Sequence, residues 1–311
     1  MSDNDNKDKI IRFFSQPWAI IRPFLRTPVA NIMSDEQYAK ALYFANFGRK
    51  LDLNNPITYN QKLMWRKLYD HNPIYHIMVD KYAVRDYVSK IIGDQYLIPL
   101  IGVWDSFDEI DFEKLPNQFV LKCNHDSGSA YICKDKKEID GDKKKKLHRF
   151  FDAHMKTDYY KHGREWAYKS VKRKIIAEEY MVDESGVELK DYKIFAFDGK
   201  PFIIQVDYDR FIEHKRNLYS TNWEYINGTI KYPTDPKHII PKPEHLDEML
   251  DLSARLSDGF MHIRTDFYNI NGKIYFSELT LYHGGGTEKF TSNELDVEMG
   301  KRMNLDLAYK G

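Results

Sequence analysis

The spacing of apolar and polar residues changes along the chain, and it predicts mainly helices in the first third and mainly strands afterwards. Across residues 35–88 apolar positions recur at helical intervals, and Pro56-Ile57-Thr58 marks a helix entry. A helix is predicted over residues 80–92 and ends at Gly93, followed by a short strand over 96–100 and a turn over 102–104. Beyond residue 118, short apolar or alternating runs separated by turn residues indicate strands.

The predicted strands form hairpins on either side of a hinge. Residues 118–123 and 131–133 flank a small polar loop, and residues 174–181 lead into the hinge. A hairpin over 191–206 turns at Asp198-Gly199, and strands over 262–268 and 273–279 are joined at Asn271-Gly272, both of which favour tight two-residue turns. Helices are predicted over 134–158 and 245–256. The pattern therefore predicts an α+β protein.

Composition changes this picture by excluding several kinds of partner. Lys and Arg together number 47, as do Asp and Glu, so no overall charge favours nucleic acid. No run approaches the ~20 apolar residues that a bilayer span requires. Two cysteines, Cys123 and Cys133, and the lack of a recognisable signal peptide predict a reducing, cytoplasmic location. Both thiols are expected to be core residues on neighbouring strands.

Residues 1–34 are predicted to form an N-terminal arm that is partly disordered or surface-associated. Residues 1–9 are polar, whereas residues 10–27 interleave aromatic residues and isoleucines with three arginines and contain no acid. This segment suits peripheral contact with an anionic membrane at its inner face, and it also suits an arm packed on the domain or left disordered. Pro17 and Pro23 limit the length of any helix there.

The first cluster of polar residues with a chemical use lies at the first hairpin. Lys122 stands beside the small-residue loop 124–130, where backbone N–H groups of Ser127, Gly128 and Ser129 can converge on phosphate oxygens. Such residues also occur in ordinary hairpin turns, and both interpretations stay open.

The second cluster lies on the last hairpin. Alternation places Arg264 and Asp266 on one face, and a turn at Asn271-Gly272 makes Asp266 and Glu278 near cross-strand partners. Adjacent carboxylates on otherwise apolar strands repel each other unless a cation lies between them, and hard oxygen ligands suit Mg²⁺. The alternative is an exposed sheet face with salt bridges.

The third cluster is the hinge, whose backbone groups can bind an adenine edge while a nearby acid accepts from ribose hydroxyls. It comprises Glu178, Glu179, Tyr180 and Met181, followed by Asp191 and Lys193. The order of these clusters resembles the order of functional residues in the ATP-grasp superfamily. It runs from a lysine with a small-residue loop, through an acidic hinge and Asp-x-Lys, to a later Asp and Glu.

Further motifs resemble the TupA-like branch of that superfamily, associated with teichuronopeptide biosynthesis. They are NPITYNQKLMW at 55–65, DKYAVR at 80–85, LPNQFVLK at 115–122 and the stretch 264–280, and the similarity covers about residues 52–307. The resemblance implies an ATP-grasp fold, in which two α+β lobes hold ATP between them, with a helical N-terminal region. The implied parts are a helical or α/β region at 35–115, a small lobe with a phosphate lid at 116–181, and a C-terminal lobe with the metal site at 182–311.

The resemblance also implies a role for each candidate residue. Lys81 and Lys122 would contact ATP phosphates, while Ser127, Gly128 and Ser129 would form a flexible phosphate lid. Glu178, Glu179, Tyr180 and Met181 would hold adenine, Asp191 the ribose, and Lys193 would lie near the γ-phosphate. Asp266 and Glu278 would bind Mg²⁺. Arg264, Lys193 and Lys122 would be the catalytic residues, with Arg264 stabilising the developing charge. Thr280 stands where many members of the superfamily have Asn, and the loop carries fewer glycines than many such lids.

The implied function is an ATP-dependent carboxylate–amine ligase that forms an amide through an acyl phosphate. The branch implies a role in surface or capsular polysaccharide biosynthesis, with a uronic-acid-type sugar as the acid and an amino acid or amino alcohol as the amine. Candidate substrate residues are Arg210, His214, Arg216 and His283. The segment 206–223, which contains the first three, equally suits a charged surface crossing.

Three other functions stay open. A sugar kinase on the same scaffold would need a general base, for which Asp207, His214 and His283 are candidates. A glycosyltransferase could use Asp207-Tyr208-Asp209 as a metal-binding Asp-x-Asp, although it would not need the ordered series of lysines, hinge and carboxylates. A non-catalytic binding module is the third.

Overall fold

The computed structural model describes residues 17–183, 189–208 and 214–311, and their secondary structure has the predicted α+β character. The α-helices are α1 (Ile21–Leu25), α2 (Asp35–Phe47), α3 (Tyr59–Tyr69), α4 (Ile74–Met78), α5 (Val84–Ile92), α6 (Gly141–Lys156), α7 (Tyr160–Gly163), α8 (Leu246–Ser257) and α9 (Asn293–Arg302). The strands are β1 (Leu100–Trp104), β2 (Phe119–Cys123), β3 (Tyr131–Cys133), β4 (Ile175–Glu179), β5 (Asp191–Phe197), β6 (Lys200–Tyr208), β7 (Lys215–Ser220), β8 (Tyr225–Ile226), β9 (Ile263–Ile270) and β10 (Lys273–Thr280).

Capping residues set the boundaries of the helices that support the site. The side chain of Thr58 accepts from the Gln61 N–H, and Gln61 reciprocates, so α3 begins where Pro56-Ile57-Thr58 predicts it. Helix α5 begins at Val84, later than predicted, because the Asp80 carboxylate accepts from the N–H groups of Tyr82 and Ala83 and holds them in a turn. The local sequence therefore predicts α3 more closely than α5.

The strands form two antiparallel sheets, a small one ordered β1-β4-β2-β3 and a large one ordered β10-β9-β5-β6-β7-β8. The predicted turns are confirmed: Asp198 and Gly199 have φ of 48° and 69°, and Asn271 and Gly272 have φ of 52° and 78°. Two consecutive positive φ values match the right-handed twist of the hairpin strands. The turns set the register of β5 with β6 and of β9 with β10 next to each turn, and a bulge in each hairpin then shifts it by one residue.

The large sheet has one mainly apolar face, and its opposite face is partly apolar and partly polar. Ile194 and Phe267 lie in the core cluster that also contains residues of α8, such as Met249. On the opposite face, Phe195 and Ile203 pack with residues of α3 and α9. Because side chains alternate along a strand, residues 191 and 193 share that face with Phe195 and continue it as a polar floor.

Two predicted elements differ from the structure. The strand expected at 96–100 lies instead at 100–104, and residues 94–96 form a 3₁₀ turn. In the stretch 134–158, α6 begins only at Gly141, after the N-cap Asp140, which accepts from the Lys143 N–H. Cys123 and Cys133 are buried free thiols on neighbouring strands, as predicted. The four-part division of the chain stays a prediction, although β1 of the 35–115 part pairs with β4 of the small lobe.

The described part of the N-terminal arm packs on α2. Leu25 and Ala30 are buried with Tyr38 and Ala45, and the Arg22 Nε donates to the carbonyl of Ala45 at 3.0 Å. Residues 1–16 lie outside the described residues. Within the described chain, no helix is both long and apolar enough to cross a membrane.

Candidate active site

A cavity of about 950 Å³ lies over the polar floor of the large sheet. Ser127 of the small-residue loop lines it together with Arg264, Glu278 and Thr280 of the last hairpin. The structure thus brings residues from the first and second sequence clusters to one space. A phosphate held by the loop would lie near the charged residues of β9 and β10.

One row of side chains crosses the strands of this floor. Glu278 pairs with Asp266, and Asp266 pairs with Lys193 on β5. A bulge between Phe276 and Glu278 shifts the register by one residue, and this shift places the two carboxylates directly opposite each other. The predicted cross-strand pairing of Asp266 and Glu278 is therefore seen in the structure.

Arg264 neutralises one of these carboxylates in the described structure. Its Nε and Nη2 donate to the two oxygens of Asp266, each at 2.7 Å, which is a bidentate geometry. Its Nη1 lies 2.7 Å from His283 Nδ1. Burial lowers the pKa of His283 to about 4, with Glu288 acting in the opposite direction. His283 is therefore neutral at pH 7, and its Nδ1 accepts from Arg264.

Lys193 is surrounded by acids. Its Nζ hydrogen-bonds to Asp191 and lies 3.6 Å from Asp207 Oδ2 and 3.7 Å from Asp266 Oδ2. Because these side chains are buried, the lysine holds together three carboxylates that would otherwise repel each other. The arrangement matches the predicted Asp-x-Lys but leaves the γ-phosphate role of Lys193 a prediction.

The small sheet supplies two further lysines. Lys122 Nζ lies 2.5 Å from Glu178 Oε2, and Arg85 Nη1 lies 3.3 Å from Glu178 Oε1. Lys81 Nζ donates to the carbonyl of Asp126 at the base of the loop. Burial lowers the pKa of Lys81, while the charge of Glu278 raises it. The positive charges of Lys81 and Lys122 thus interact at the base of the loop, where Glu178 offsets one of them.

The predicted lid is anchored at its ends. Asn124 and Ser129 are buried, and the Ser129 hydroxyl contacts Asp126 and accepts from the Cys123 N–H at 2.9 Å. Ser127, Gly128 and Ala130 are exposed, and of these Ser127 lines the cavity. A Cβ on Gly128 would meet nothing within 4 Å, so this point has open space around it. The flexible-lid role of Ser127, Gly128 and Ser129 stays a prediction.

The hinge residues 178–181 lie outside the lining of the 950 Å³ cavity. Glu179 and Tyr180 line a separate pocket of about 400 Å³ with Pro99 and Ile101. The Glu179 N–H already donates to the carbonyl of Pro99 at 3.0 Å. Met181 is half-buried, and none of residues 178–181 lines the 950 Å³ cavity. Their contact with adenine stays a prediction.

The three candidate substrate residues that the structure describes, His214, Arg216 and His283, do not line the cavity. Arg210 lies outside the described residues. His214 stacks on Tyr232, with ring centroids 3.7 Å apart, and its Nε2 lies 3.2 Å from Asp207 Oδ1. Arg216 is buried and makes four hydrogen bonds, to Asp207, to the carbonyl of residue 230 and to Glu288. His283 is also buried, so these three support the floor of the site in the described structure.

Sequence reasoning missed much of the cavity wall. Glu288 binds Arg216 at 3.1 Å and Lys231 at 3.0 Å; burial raises the pKa of its carboxyl, but these cations and His283 hold it well below its usual range. The one local signal was the run His283-Gly-Gly-Gly, in which three consecutive glycines have positive φ. The other missed lining residues come from separate elements and are Arg22, Asn46, Tyr159, Glu165, Tyr168, Tyr282 and Lys289.

The donor set at the floor fits Mg²⁺ bound together with a nucleotide. Asp266 and Glu278 are hard oxygen ligands in adjacent positions, and the Thr280 hydroxyl beside them is buried without a hydrogen-bond partner among the described residues. The described residues contain no cluster of three or more His, Cys, Asp or Glu side chains arranged to hold a metal. Mg²⁺ takes most of its ligands from phosphates and water in nucleotide sites, so two protein carboxylates suffice.

The fold and the site are those of an ATP-grasp protein. They combine two antiparallel sheets with a small-residue loop and the ordered lysines and carboxylates. The sequence profile of the TupA-like ATP-grasp family matches residues 61–304, and the chain belongs to this family. No curated protein sequence is significantly similar to it.

Several solved structures are similar in fold. The D-alanine–D-alanine ligase from Bacillus anthracis complexed with ATP is 16% identical, covering 66% of this chain and 55% of its own, with a TM-score of 0.39. The ATP-grasp ligase PsnB complexed with minimal precursor, Mg and ADP is 11% identical, covering 71% and 57%, with a TM-score of 0.40. The RimK domain protein ATP-grasp from Sphaerobacter thermophilus is 10% identical, covering 73% and 67%, with a TM-score of 0.39. The chain thus spans little more than half the length of the first two.

Proposed function

We propose that this protein is an ATP- and Mg²⁺-dependent carboxylate–amine ligase that forms an amide through an acyl phosphate. The observation that carries the proposal is the row Glu278–Asp266–Lys193 with Arg264 beside it. Glu278 and Arg264 of this set line a cavity that Ser127 also lines. A phosphoryl-transfer site needs positioned cations and metal-binding carboxylates more than it needs covalent chemistry. This floor supplies both.

The chain's own residues divide the task as follows. Arg264 and Lys193 place positive charge where negative charge develops during transfer, and burial strengthens their effect. Asp266 and Glu278 would hold Mg²⁺, which neutralises nucleotide phosphates when bound. Because Asp266 is bound by Arg264 in the described structure, the metal would share or replace that contact. The attacking carboxylate is ionised at pH 7, so its phosphorylation requires no general base. The ammonium of the second substrate must lose a proton before its nitrogen attacks the acyl carbon and displaces phosphate.

Of the three candidate bases of a kinase, His283 and Asp207 have their acceptor atoms engaged, whereas His214 Nε2, 3.2 Å from Asp207 Oδ1, makes no hydrogen bond among the described residues. His283 Nδ1 accepts from Arg264, and His283 Nε2 lies 3.0 Å from Glu288, although not at a hydrogen-bonding angle. Both oxygens of Asp207 accept hydrogen bonds, from Arg216 and Gln205. These contacts favour the ligase over the kinase. They also engage Asp207, the described acid of the Asp-x-Asp that a glycosyltransferase would use.

We further propose that the acid is a uronic-acid-type sugar and the amine an amino acid or amino alcohol, in surface polysaccharide biosynthesis. The family resemblance supports this choice. The cavity also suits a polar, acidic substrate, because Arg22, Lys231 and Lys289 line it in addition to Arg264. A sugar acid would find both hydrogen-bonding groups and positive charge there.

We also propose that the N-terminal arm makes peripheral contact with the cytoplasmic face of an anionic membrane. Ile20, Phe24, Val29 and Ile32 are exposed apolar residues on the described part of the arm, and Arg26 is exposed among them. Apolar side chains interleaved with arginines bind anionic lipid surfaces. Cosedimentation with anionic but not neutral vesicles is expected, and equal binding to both would contradict it.

The proposed reaction is tested by measuring ADP release from ATP and Mg²⁺ with individual uronic acids and pooled amino acids, followed by product mass. We expect ADP release that depends on one acid and a product heavier than that acid by the amine minus water. ATP with Mg²⁺ should also stabilise the fold by ~2.7 kcal/mol at ~100 times its dissociation constant. Stabilisation by UDP-sugars and none by ATP would replace the ligase with a glycosyltransferase.

A further inference from the structure

Glu165 is a carboxylate in the cavity wall that the proposed phosphoryl chemistry does not use. It lines both the 950 Å³ cavity and an adjoining one of about 300 Å³. Its ion-pair partner among the described residues is Lys67, whose Nζ is 3.7 Å away. Lys67 itself donates to the carbonyls of Gly163 at 3.0 Å and Gly285 at 2.7 Å, so its hydrogen bonds are directed mainly to those carbonyls. The carboxylate of Glu165 therefore retains the capacity to bind another cation.

Three tyrosine rings line the same part of the cavity. Tyr159 and Tyr168 contact each other edge to face, with ring centroids 4.8 Å apart and planes at 65°. Burial raises the pKa of all three tyrosines, and the charge of Glu165 raises it further. Tyr282 is the third of these rings, and all three are neutral phenols at pH 7. A carboxylate among neutral aromatic rings is a site for an organic cation, because charge attraction and cation–π contact add together.

We propose that Glu165, Tyr159, Tyr168 and Tyr282 bind the ammonium group of the second substrate, a primary amine. This inference rests on the proposed ligase function and adds the residues that select the amine. Arg264 and Glu278, which the proposed activation of the acid uses, line the same cavity. Glu165 lies on the wall that α3 and the glycine run support, close enough to Glu278 for their charges to interact.

The glycine run gives this site its shape. Gly285 has φ +61°, and a Cβ there would approach Glu165 Oε1 to 3.2 Å and Lys67 Nζ to 3.6 Å. A side chain at this position would push into the space that the ammonium occupies. The backbone of His283-Gly-Gly-Gly therefore passes close to Glu165 only because residue 285 is glycine.

A purely structural role for Glu165, neutralising buried Lys67, makes different predictions. In that case a substitution lowers stability and leaves amine binding unchanged. In the proposed role it lowers amine affinity, and a change in stability is secondary.

The test compares ethanolamine with its uncharged analogue ethylene glycol by saturation-transfer NMR, on the full chain with ADP and Mg²⁺. Wild-type protein should show saturable transfer to ethanolamine and little to ethylene glycol. Glu165→Gln should weaken ethanolamine binding about 10- to 100-fold, the effect of losing one charge-assisted hydrogen bond. The matched control Glu113→Gln, at an exposed position that does not line the cavity, should bind like wild type.

A second pair of variants keeps the proposal testable if Glu165→Gln does not fold. Tyr159→Phe retains the ring and should bind ethanolamine normally, whereas Tyr159→Leu should bind about 3- to 30-fold more weakly. Equal signals from ethanolamine and ethylene glycol, or unchanged binding in Glu165→Gln, would overturn the proposal. An acyl phosphate trapped by hydroxylamine would still support the ligase in that event, so the two failures are distinguishable. Amine binding without any acyl phosphate would instead refute the ligase.

Discussion

Replacing Glu178 with Gln tests whether Lys122 is held ready for nucleotide phosphates. Glu178 forms an ion pair with Lys122 at 2.5 Å and accepts a hydrogen bond from Arg85 at 3.3 Å, and only 9% of its side chain is exposed. The substitution leaves two cations near each other without their shared anion. An ATP phosphate would then replace the missing negative charge. We therefore expect Glu178→Gln to be less stable than wild type without nucleotide and to recover more stability when ATP binds.

The magnitude follows from the burial of the three groups. Removing one partner of a fully buried pair costs ~3–5 kcal/mol, and exposed pairs are worth ~0–1 kcal/mol. The side chains of Lys122 and Arg85 are 19% and 15% exposed, so we expect a loss of about 1–3 kcal/mol in the free energy of unfolding. At about 2 °C per kcal/mol for a chain of this length, the apo Tm should fall by several degrees.

Differential scanning fluorimetry with and without ATP and Mg²⁺ measures both effects. Glu113→Gln is the matched control, since it makes the same chemical change at an exposed carboxylate. The ATP-induced rise in Tm should be larger in Glu178→Gln than in the control. An unchanged apo Tm together with an unchanged ATP response would refute the idea that Glu178 holds Lys122 for phosphate binding.

Three further predictions concern the support of the site. Arg66→Met should lower the free energy of unfolding by about 3–5 kcal/mol in urea titrations. Buried Arg66 donates to the carbonyls of His262 at 2.6 Å and Leu281 at 3.0 Å, and it forms an ion pair with Asp70. The control Arg302→Met, at an exposed position, should lower it far less. Gly285→Ala should cost about 1–2 kcal/mol, since residue 285 has positive φ, whereas Gly141→Ala has open space and should not destabilise. His283 has a pKa of about 4 in the folded protein against about 6.5 when unfolded. The stability that neutral His283 contributes to the folded state is therefore complete above pH 6.5 and is lost as pH falls towards 4. Denaturation between pH 7 and 4 should show about 3 kcal/mol of this loss, and His283→Gln should remove it; equal pH slopes in the two proteins would contradict the argument.

Local signals in the sequence predicted the parts of the fold that local chemistry controls. The capping pair Thr58 and Gln61 and the turns at Asp198-Gly199 and Asn271-Gly272 each act within a few residues. The second turn alone would pair Asp266 with Ser277, so the sequence predicted Asp266 and Glu278 as near cross-strand neighbours. A bulge that the sequence did not predict makes them direct partners. The ATP-grasp fold followed from the order of such local motifs.

Contacts between distant elements were not predicted, because no local pattern encodes them. Glu178 and Lys122 meet only when β4 pairs with β2, so the sequence assigned them to adenine and phosphate without noting their ion pair. Glu165 lies in a connection between α7 and β4 and has no motif of its own, and it reaches the cavity only through tertiary packing. The loop at 124–130 was expected to have little to pack against, yet the Asn124 side chain is buried against Asp80 and the backbone of residues 172 and 174.

The central claim is that the protein activates a carboxylate by phosphorylating it, and hydroxylamine trapping tests this most directly. A mixed anhydride reacts with hydroxylamine to give a hydroxamate, whereas a phosphoester does not. With ATP, Mg²⁺ and the acid that stimulates ADP release, we expect a hydroxamate of that acid by mass spectrometry, and its formation should be lost in Asp266→Asn and Glu278→Gln. ADP release with a stable phosphorylated sugar and no hydroxamate would contradict the account and identify a kinase.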